Sequence, residues 1–226
     1  MDERERTQYG RVPNPPVHAA PDDARLWNQS RALAWQALTR WGVWWSRARL
    51  AQALGLPPAT WYAWDADRVQ RLDGGTLGRI CWGLGVAPGA VLTLAATPPA
   101  VVAPGRPAPP ATPPPPAVAV FFDLRPLLAG VPARLIAAQL ELSRQAALTL
   151  RHQPTRQLRR ATLERLLRWR AAPSHLVLRP TPALADELRA LGSQEPTAEA
   201  GGLAGVVPRP VYDQPERLSR RTRRCT

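Results

Sequence analysis

The sequence predicts an all-α fold of two small helical domains, joined by a proline-rich linker and flanked by flexible termini. Apolar residues recur at helical spacing in two stretches of the chain, and these stretches repeat one another. Between them, ten prolines fall within the nineteen residues from Pro98 to Pro116. The predicted boundaries are a flexible arm at 1–20, a first domain at 21–97, a linker at 98–119, a second domain at 120–180 and a flexible basic tail at 181–226.

The first helical stretch is expected to begin where Asp22 and Asp23 can cap a helix, and to continue to about Ala95. The linker is expected to form neither helix nor strand, because clustered prolines lack amide donors. As an extended spacer of about 24 residues, at about 3.1 Å each, it would reach roughly 70 Å. The second stretch covers 120–178, and one short helix is expected at 183–191.

The charge of the chain indicates its partner. The 226 residues carry a formal net charge of +13, and all 30 basic residues are arginine. Eight arginines and three acidic residues lie within 25–96, and ten arginines and three acidic residues lie within 121–178, so the excess sits in the two predicted domains. This balance favours a polyanion such as nucleic acid, with arginines that are merely solvated as the alternative.

Several other classes of protein are disfavoured. No segment reaches the roughly 18–20 apolar residues of a membrane-spanning helix, and no secretory signal opens the chain, so a cytoplasmic protein is expected. Cys81 and Cys225 form no disulfide or zinc pattern, and His18, His152 and His175 are scattered. The chain has no lysine for a phosphate-binding loop and no G-x-S-x-G motif. We therefore expect no enzymatic site, metal or cofactor.

The internal repeat has a constant offset of 86 residues between 50–81 and 136–167. Its apolar positions coincide across the two copies, which indicates that both copies use the same buried faces. The matched pairs are Leu50 with Ile136, Leu54 with Leu140, Leu56 with Leu142, Trp64 with Leu150, Leu72 with Leu158, Leu77 with Leu163, and Ile80 with Leu166.

Residues 46–56, SRARLAQALGL, followed by Thr60, Trp61 and Trp64, resemble the helix-turn-helix of the Cro/phage-repressor (Xre-type) family. Residues 76–88, with one apolar face, resemble the fourth helix of that family and the entry to a fifth. The resemblance implies two tandem lambda-repressor-like domains. In each, a turn follows a short helix, at Gly55 in the first copy, and the second helix has a free face that can enter the major groove of duplex DNA.

The resemblance thus implies a cytoplasmic, nucleoid-associated transcriptional regulator that binds double-stranded DNA. The second domain is expected to be the better base reader, since Arg144 can pair with guanine and Gln145 with adenine. Its expected base contacts are Ser143, Arg144, Gln145, Leu148 and Thr149, and its expected phosphate contacts are Arg134, Arg151, Arg156, Arg159 and Arg160.

The corresponding face of the first domain offers almost no hydrogen-bonding code. This domain can anchor the protein, dimerise or read DNA shape, and these roles remain open. Asp65 and Asp67 are expected at the solvated end of its reading helix rather than as a catalytic pair. The expected base contacts are Pro58, Ala59 and Tyr62, and the expected phosphate contacts are Arg47, Arg49, Arg68 and Arg71.

Eight of the nine tryptophans lie in the first domain. Trp41, Trp61 and Trp64 are expected in its core, whereas Trp44 and Trp45 fit either the core or a patch that binds a protein partner or a second copy of the chain. Two alternatives to the regulator therefore remain. One is an interaction module, of an antitoxin-like or phage-accessory kind, in which only the second domain contacts DNA. The other is a nonspecific nucleic-acid-binding protein.

Overall fold

The structure is a computed structural model and describes residues 23–192. The predicted arm at 1–20 and the segment after 192 lie outside the described residues. Within 23–192 the chain is mostly helical, with ten α-helices and six short strands. The strands form three two-stranded antiparallel sheets, so the all-α prediction is correct for the dominant elements and misses these sheets.

Both repeats follow one order of elements, with a strand, three helices, a strand, a helix, a short helical turn and a strand. The first repeat consists of β1 (Arg25–Asn28), α1 (Ser30–Trp41), α2 (Arg47–Ala53), α3 (Pro58–Asp65), β2 (Arg71–Asp73), α4 (Gly74–Leu84), α5 (Pro88–Val91) and β3 (Leu92–Ala95). The second consists of β4 (Val120–Phe122), α6 (Arg125–Leu128), α7 (Ala133–Leu140), α8 (Arg144–His152), β5 (Gln157–Arg159), α9 (Arg160–Arg170), a 3₁₀ turn (Ser174–Leu176) and β6 (Leu178–Pro180), and α10 (Pro182–Ala190) follows it.

The described part of the chain begins with a strand where the sequence predicted a helix capped by Asp22 and Asp23. Ala24 and Leu26 are buried while Arg25 between them is exposed, which is the alternation of a strand. β1 pairs antiparallel with β3, with Leu26 opposite Leu94, and α1 begins only at Ser30. β4 and β6 close the second repeat in the same way. Strands of three or four residues are too short for their periodicity to be distinguished from that of a helix.

The fourth helix was predicted correctly. Asp73 accepts a hydrogen bond from the amide of Thr76 at 2.8 Å and so caps α4. Leu77, Ile80 and Leu84 lie on one face and are fully buried. The helix ends at Gly85, whose φ of 65° lies in the left-handed region that favours glycine.

The two repeats share one hydrophobic core. Buried side chains of the first repeat, such as Leu77 and Ile80, and of the second, such as Phe122 and Leu163, belong to one continuous cluster. β2 of the first repeat pairs with β5 of the second, so one of the three sheets joins the repeats. A division into two separate domains is therefore not confirmed.

The proline-rich segment 98–119 packs against the fold, which contradicts the expected free spacer. Pro104, Pro114 and Val118 are buried. The amide of Gly105 donates to the carbonyl of Gly85 at 2.9 Å, and Trp41 Nε1 donates to the carbonyl of Arg106 at 3.0 Å. Missing amide donors exclude regular structure here, but proline rings remain apolar surface and their carbonyls remain acceptors. The roughly 70 Å reach of an extended chain therefore does not apply.

The segment after the second repeat was partly misassigned. The boundaries placed 181–226 in a flexible tail, yet α10 confirms the short helix expected near 183–191. Leu184 and Leu188 are buried, and α10 contacts α4 of the first repeat. Residues 181–192 thus belong to the fold, because their apolar face covers part of the shared core.

We expect Gly78→Ala to destabilise the protein by at least about 1–3 kcal/mol, because the added methyl has no room. A Cβ at Gly78 would lie 2.5 Å from the Cα of Ala119, at the entry to the second repeat. Gly75→Ala on the same helix is the matched control, since its Cβ would meet no backbone atom within 4 Å and only the Oδ1 atom of the capping Asp73 side chain, at 3.2 Å. Urea unfolding measures both, and equal midpoints would contradict the close approach.

Candidate nucleic-acid interface

The first helix-turn-helix is built from α2 and α3. Ser46 caps α2 by accepting a hydrogen bond from the amide of Arg49 at 3.2 Å. Gly55 follows α2 with φ at 64°, so the predicted glycine turn is confirmed. Trp61 and Trp64 are buried against α2, as predicted for core residues, and they fix the opposite face of α3 toward solvent.

The helix pair α7 and α8 of the second repeat makes the same turn without glycine. Glu141 occupies the position equivalent to Gly55 and has φ at 52°. A non-glycine residue in this region is strained and persists only with support from its surroundings. Arg165 of α9 contacts this turn, since its Nη1 lies 2.7 Å from Glu141 Oε2 and 3.4 Å from the carbonyl oxygen of Leu140.

The outward face of α8 carries the side chains that sequence reasoning assigned to base contacts. Arg144, Gln145 and Thr149 are exposed and Leu148 is half-buried, whereas Ala147 and Leu150 on the opposite face are buried. Ser143 accepts a hydrogen bond from the amide of Ala146 at 3.2 Å and so caps the helix. The hydroxyl of Thr149 donates to the carbonyl of Gln145 at 3.1 Å, so its hydrogen is used within the helix.

The same face of α3 is chemically different. Pro58 and Ala59 are exposed and carry no polar side-chain atom. Tyr62 is 42 % exposed, so its phenol ring and hydroxyl reach the surface. This face therefore offers shape and one hydroxyl, as the sequence indicated.

Arg47 and Asp65 tie the two helices of the first motif together. Arg47 Nε lies 3.0 Å from Asp65 Oδ2, and the Asp65 side chain is only 3 % exposed. The expectation that Asp65 is solvated at the helix end is therefore wrong. Burial of this carboxylate is compensated by the guanidinium, and the ion pair gives Arg47 a structural role that its sequence position did not indicate.

The two arginines at the junction of β5 and α9 have different surroundings. Arg159 is exposed, whereas Arg160 contacts the first repeat. Arg160 Nη1 lies 2.5 Å from Asp67 Oδ1, and Arg160 Nη2 donates to the carbonyl of Leu26 at 2.6 Å. These contacts place Arg160 in the contact between the repeats rather than on an open phosphate-facing surface. Among the other predicted phosphate contacts, Arg151 is half-buried, and the exposed ones are Arg49, Arg68, Arg71, Arg134 and Arg156.

The first helix of the second repeat supports α8. α6 is only one turn long, and it contacts α8. Just before it, Asp123 accepts hydrogen bonds from Arg125 Nε and Nη2, each at 2.8 Å. These hydrogen bonds lower the pKa of the Asp123 carboxyl, and they join Asp123 to Arg125, the first residue of α6.

The tryptophans that were left open divide between surface and core. Trp44 is 85 % exposed, and its ring meets that of Trp35 edge-on with centroids 5.8 Å apart. Trp45 and Trp41 are half-buried against the hydrophobic core, and their ring centroids lie 6.0 Å apart. Trp44 is therefore an exposed aromatic residue beside the first helix-turn-helix.

Residues 23–192 hold no helix with the length and apolar character needed to cross a membrane. In the same range, no three histidine, cysteine or acidic side chains come together as a metal site would require.

We expect Arg47→Ala to cost about 1.5–3 kcal/mol of stability, because a buried carboxylate loses a charged partner. Arg49→Ala removes the same charge two residues away, where the guanidinium is exposed over the Trp45 ring, and should cost less than about 1 kcal/mol. Thermal unfolding of the two variants under identical conditions separates these effects. Equal losses would show that the contact between Arg47 and Asp65 contributes nothing specific.

The comparisons with known proteins agree with the geometry of the first repeat. No curated protein and no solved structure matches the chain. Residues 44–96 match the family model of the Cro/C1-type HTH DNA-binding domain. This segment runs from just before α2 to the end of β3. Residues 44–96 are therefore similar to a Cro/C1-type helix-turn-helix DNA-binding domain.

Proposed function

We propose that the protein is a transcriptional regulator that binds duplex DNA in the cytoplasm, on the nucleoid, and that its second repeat is the main base reader. The observation that carries the proposal is the outward face of α8. Arg144 and Gln145 stand exposed side by side at the start of a capped helix. That helix occupies the same place in its repeat as α3 does in the matched Cro/C1-type domain.

The chemistry of this face suits the major groove. A guanidinium at Arg144 can donate to both O6 and N7 of guanine, and the amide of Gln145 can bond both N6 and N7 of adenine. The methyl groups of Leu148 and Thr149 can contact a thymine methyl. Each bidentate contact discriminates against a wrong base by about 1–3 kcal/mol.

In this proposal, the first repeat mainly positions the protein on DNA. Its reading face offers Pro58, Ala59 and Tyr62, which can follow groove shape but supply little hydrogen-bonding code. Arg68 and Arg71 are exposed just after α3, where they can bind phosphates on either side of the groove. Affinity contributed by these arginines is independent of sequence and sensitive to salt.

A second candidate function rests on Trp44. A tryptophan exposed over 85 % of its surface fits a protein-binding patch on the first repeat, with only the second repeat on DNA. The full-length Trp44→Ala variant tests it, because a fragment would lose half of the shared core. Unchanged DNA affinity together with lost self-association would support this patch, and unchanged self-association would remove the argument for it.

We expect Arg144→Ala/Gln145→Ala to reduce the preference for the cognate sequence by about 30-fold or more, since two bidentate contacts are lost. The cognate site comes from selection in random duplex DNA with the full chain at physiological salt. Fluorescence anisotropy with cognate and scrambled duplexes then measures the preference.

Arg189→Ala is the control for the reading face. It removes one exposed arginine from α10, away from both helix-turn-helix motifs, and should leave the preference unchanged. An unchanged preference in the double variant would contradict the assignment of α8 as base reader.

We expect Arg68→Ala/Arg71→Ala to weaken binding to cognate and scrambled DNA by similar factors. If both arginines neutralise phosphates, the slope of log affinity against log salt should become shallower by about 1.8, at about 0.9 per contact. Binding measured across a salt series for wild type and variant gives the slope. A loss confined to the cognate duplex would instead make these arginines base readers.

A further inference from the structure

The joint between the repeats pairs equivalent residues with each other. β2 and β5 run antiparallel, and Leu72 lies opposite Leu158. These leucines are 86 residues apart, which is the offset of the internal repeat. An antiparallel pair in which a residue faces its own equivalent has a two-fold axis through that pair.

The hydrogen bonds at the ends of this joint obey the same relation. The amide of Gly74 donates to the carbonyl of Arg156 at 2.7 Å, and the amide of Arg160 donates to the carbonyl of Gln70 at 2.9 Å. Arg160 is the equivalent of Gly74 in the second repeat, and Gln70 is the equivalent of Arg156 in the first, each at the offset of 86 residues. The second bond is therefore the first bond with both partners replaced by their equivalents. The two bonds therefore exchange under the rotation that relates the repeats.

Packing around the joint is also reciprocal. α4 of the first repeat packs on β4 of the second, and α9 of the second packs on β1 of the first. One chain thus forms with itself the kind of isologous interface that normally joins two identical subunits.

Several contacts hold the repeats in this one arrangement. Leu72 and Leu158 are buried at the axis. Arg160 bridges to Asp67 and to the carbonyl of Leu26 in the first repeat. Arg106, in the proline-rich segment, donates to the carbonyl of Trp82 and lies 2.5 Å from Glu187 of α10. The linker and α10 therefore clamp the two repeats together.

Chain length bounds the spacing of the two reading helices. α3 ends at Asp65, seven residues before Leu72, and α8 ends at His152, six residues before Leu158. At no more than about 3.6 Å per residue, each helix end lies within about 25 Å of the axis. The two ends are thus at most about 50 Å apart, a range that includes the roughly 34 Å between adjacent half-sites.

We propose that a single chain recognises an inverted pair of unlike half-sites, and so acts as a dimer built within one polypeptide. This inference rests on the proposed function. Readers related by a two-fold axis match half-sites on opposite strands, whereas readers related by translation match direct repeats. The half-sites differ in sequence because α8 presents Arg144 and Gln145 where α3 presents Pro58 and Ala59.

The first test combines selection with stoichiometry on the full chain. Binding sites are first selected from random duplex DNA. Three probes are then made, which carry the recovered half-sites as an inverted pair, as a direct repeat, or as a single half-site. Native mass spectrometry counts the chains bound to each probe. Tightest binding of one chain to the inverted, unlike pair is expected. Tightest binding to the direct repeat or to the single half-site, or two chains bound to one site, would overturn the inference. The proposed function would survive these outcomes, because binding would still be specific. Absence of any enriched sequence would overturn the proposed function and the inference with it.

The second test asks whether the repeats keep this arrangement on DNA. Hydrogen-bonded and non-hydrogen-bonded pairs alternate along an antiparallel ladder. Gln70 and Arg160 form a hydrogen-bonded pair, so the next pair, Arg71 and Arg159, is a close, non-hydrogen-bonded one that is suited to a disulfide. Arg71→Cys/Arg159→Cys in a Cys225→Ser background is compared oxidised and reduced, which controls for the lost arginines. The DNA affinities of the oxidised and reduced forms are expected to agree within about twofold.

A tenfold or greater loss on oxidation would mean that the repeats separate to bind, and it would overturn the inference. Failure of the disulfide to form under mild oxidation, judged by mass spectrometry, would overturn the register on which the axis depends. The single variant Arg71→Cys, treated with the same oxidant, should show no change in affinity between its oxidised and reduced samples.

Discussion

The antiparallel pairing of Arg71–Asp73 with Gln157–Arg159 is the contact on which the relative placement of the helix pairs α2–α3 and α7–α8 depends. β2 lies between α3 and the long helix α4, and β5 lies between α8 and the long helix α9. Fixing the two strands to one another therefore fixes where α3 and α8 lie relative to a common axis. A pair of three-residue strands is weak alone, so the joint also needs the buried leucines and the packed proline-rich segment around it.

Equivalent positions in the two repeats keep the same backbone geometry with different residues. At the joint, Gly74 allows the backbone of Val120 to approach closely, while its equivalent Arg160 extends to Asp67 and Leu26. The backbone geometry is thus kept while the side chains diverge. Because the apolar positions carry the fold, the outward faces of α3 and α8 can differ without disturbing it.

In the proposed function, the divergence of these faces separates two physical roles. The directional donors and acceptors of α8 would discriminate between bases, whereas the exposed arginines of the first repeat would bind any phosphate backbone. A rigid connection would make these contributions act at once, so that contacts of the first repeat would raise the effective concentration of the second at its site.

The sequence by itself determined the helical character of both stretches, the buried face of α4 and the turn at Gly55, because local spacing and turn chemistry specify them. It also located the exposed residues of α8 through the repeat. Only the tertiary structure decided the strand pairings, the burial of Asp65, the packing of the proline-rich segment and the different surroundings of Arg159 and Arg160. Those features depend on partners up to 134 residues away, as for Arg160 and Leu26, and no local pattern encodes such a distance.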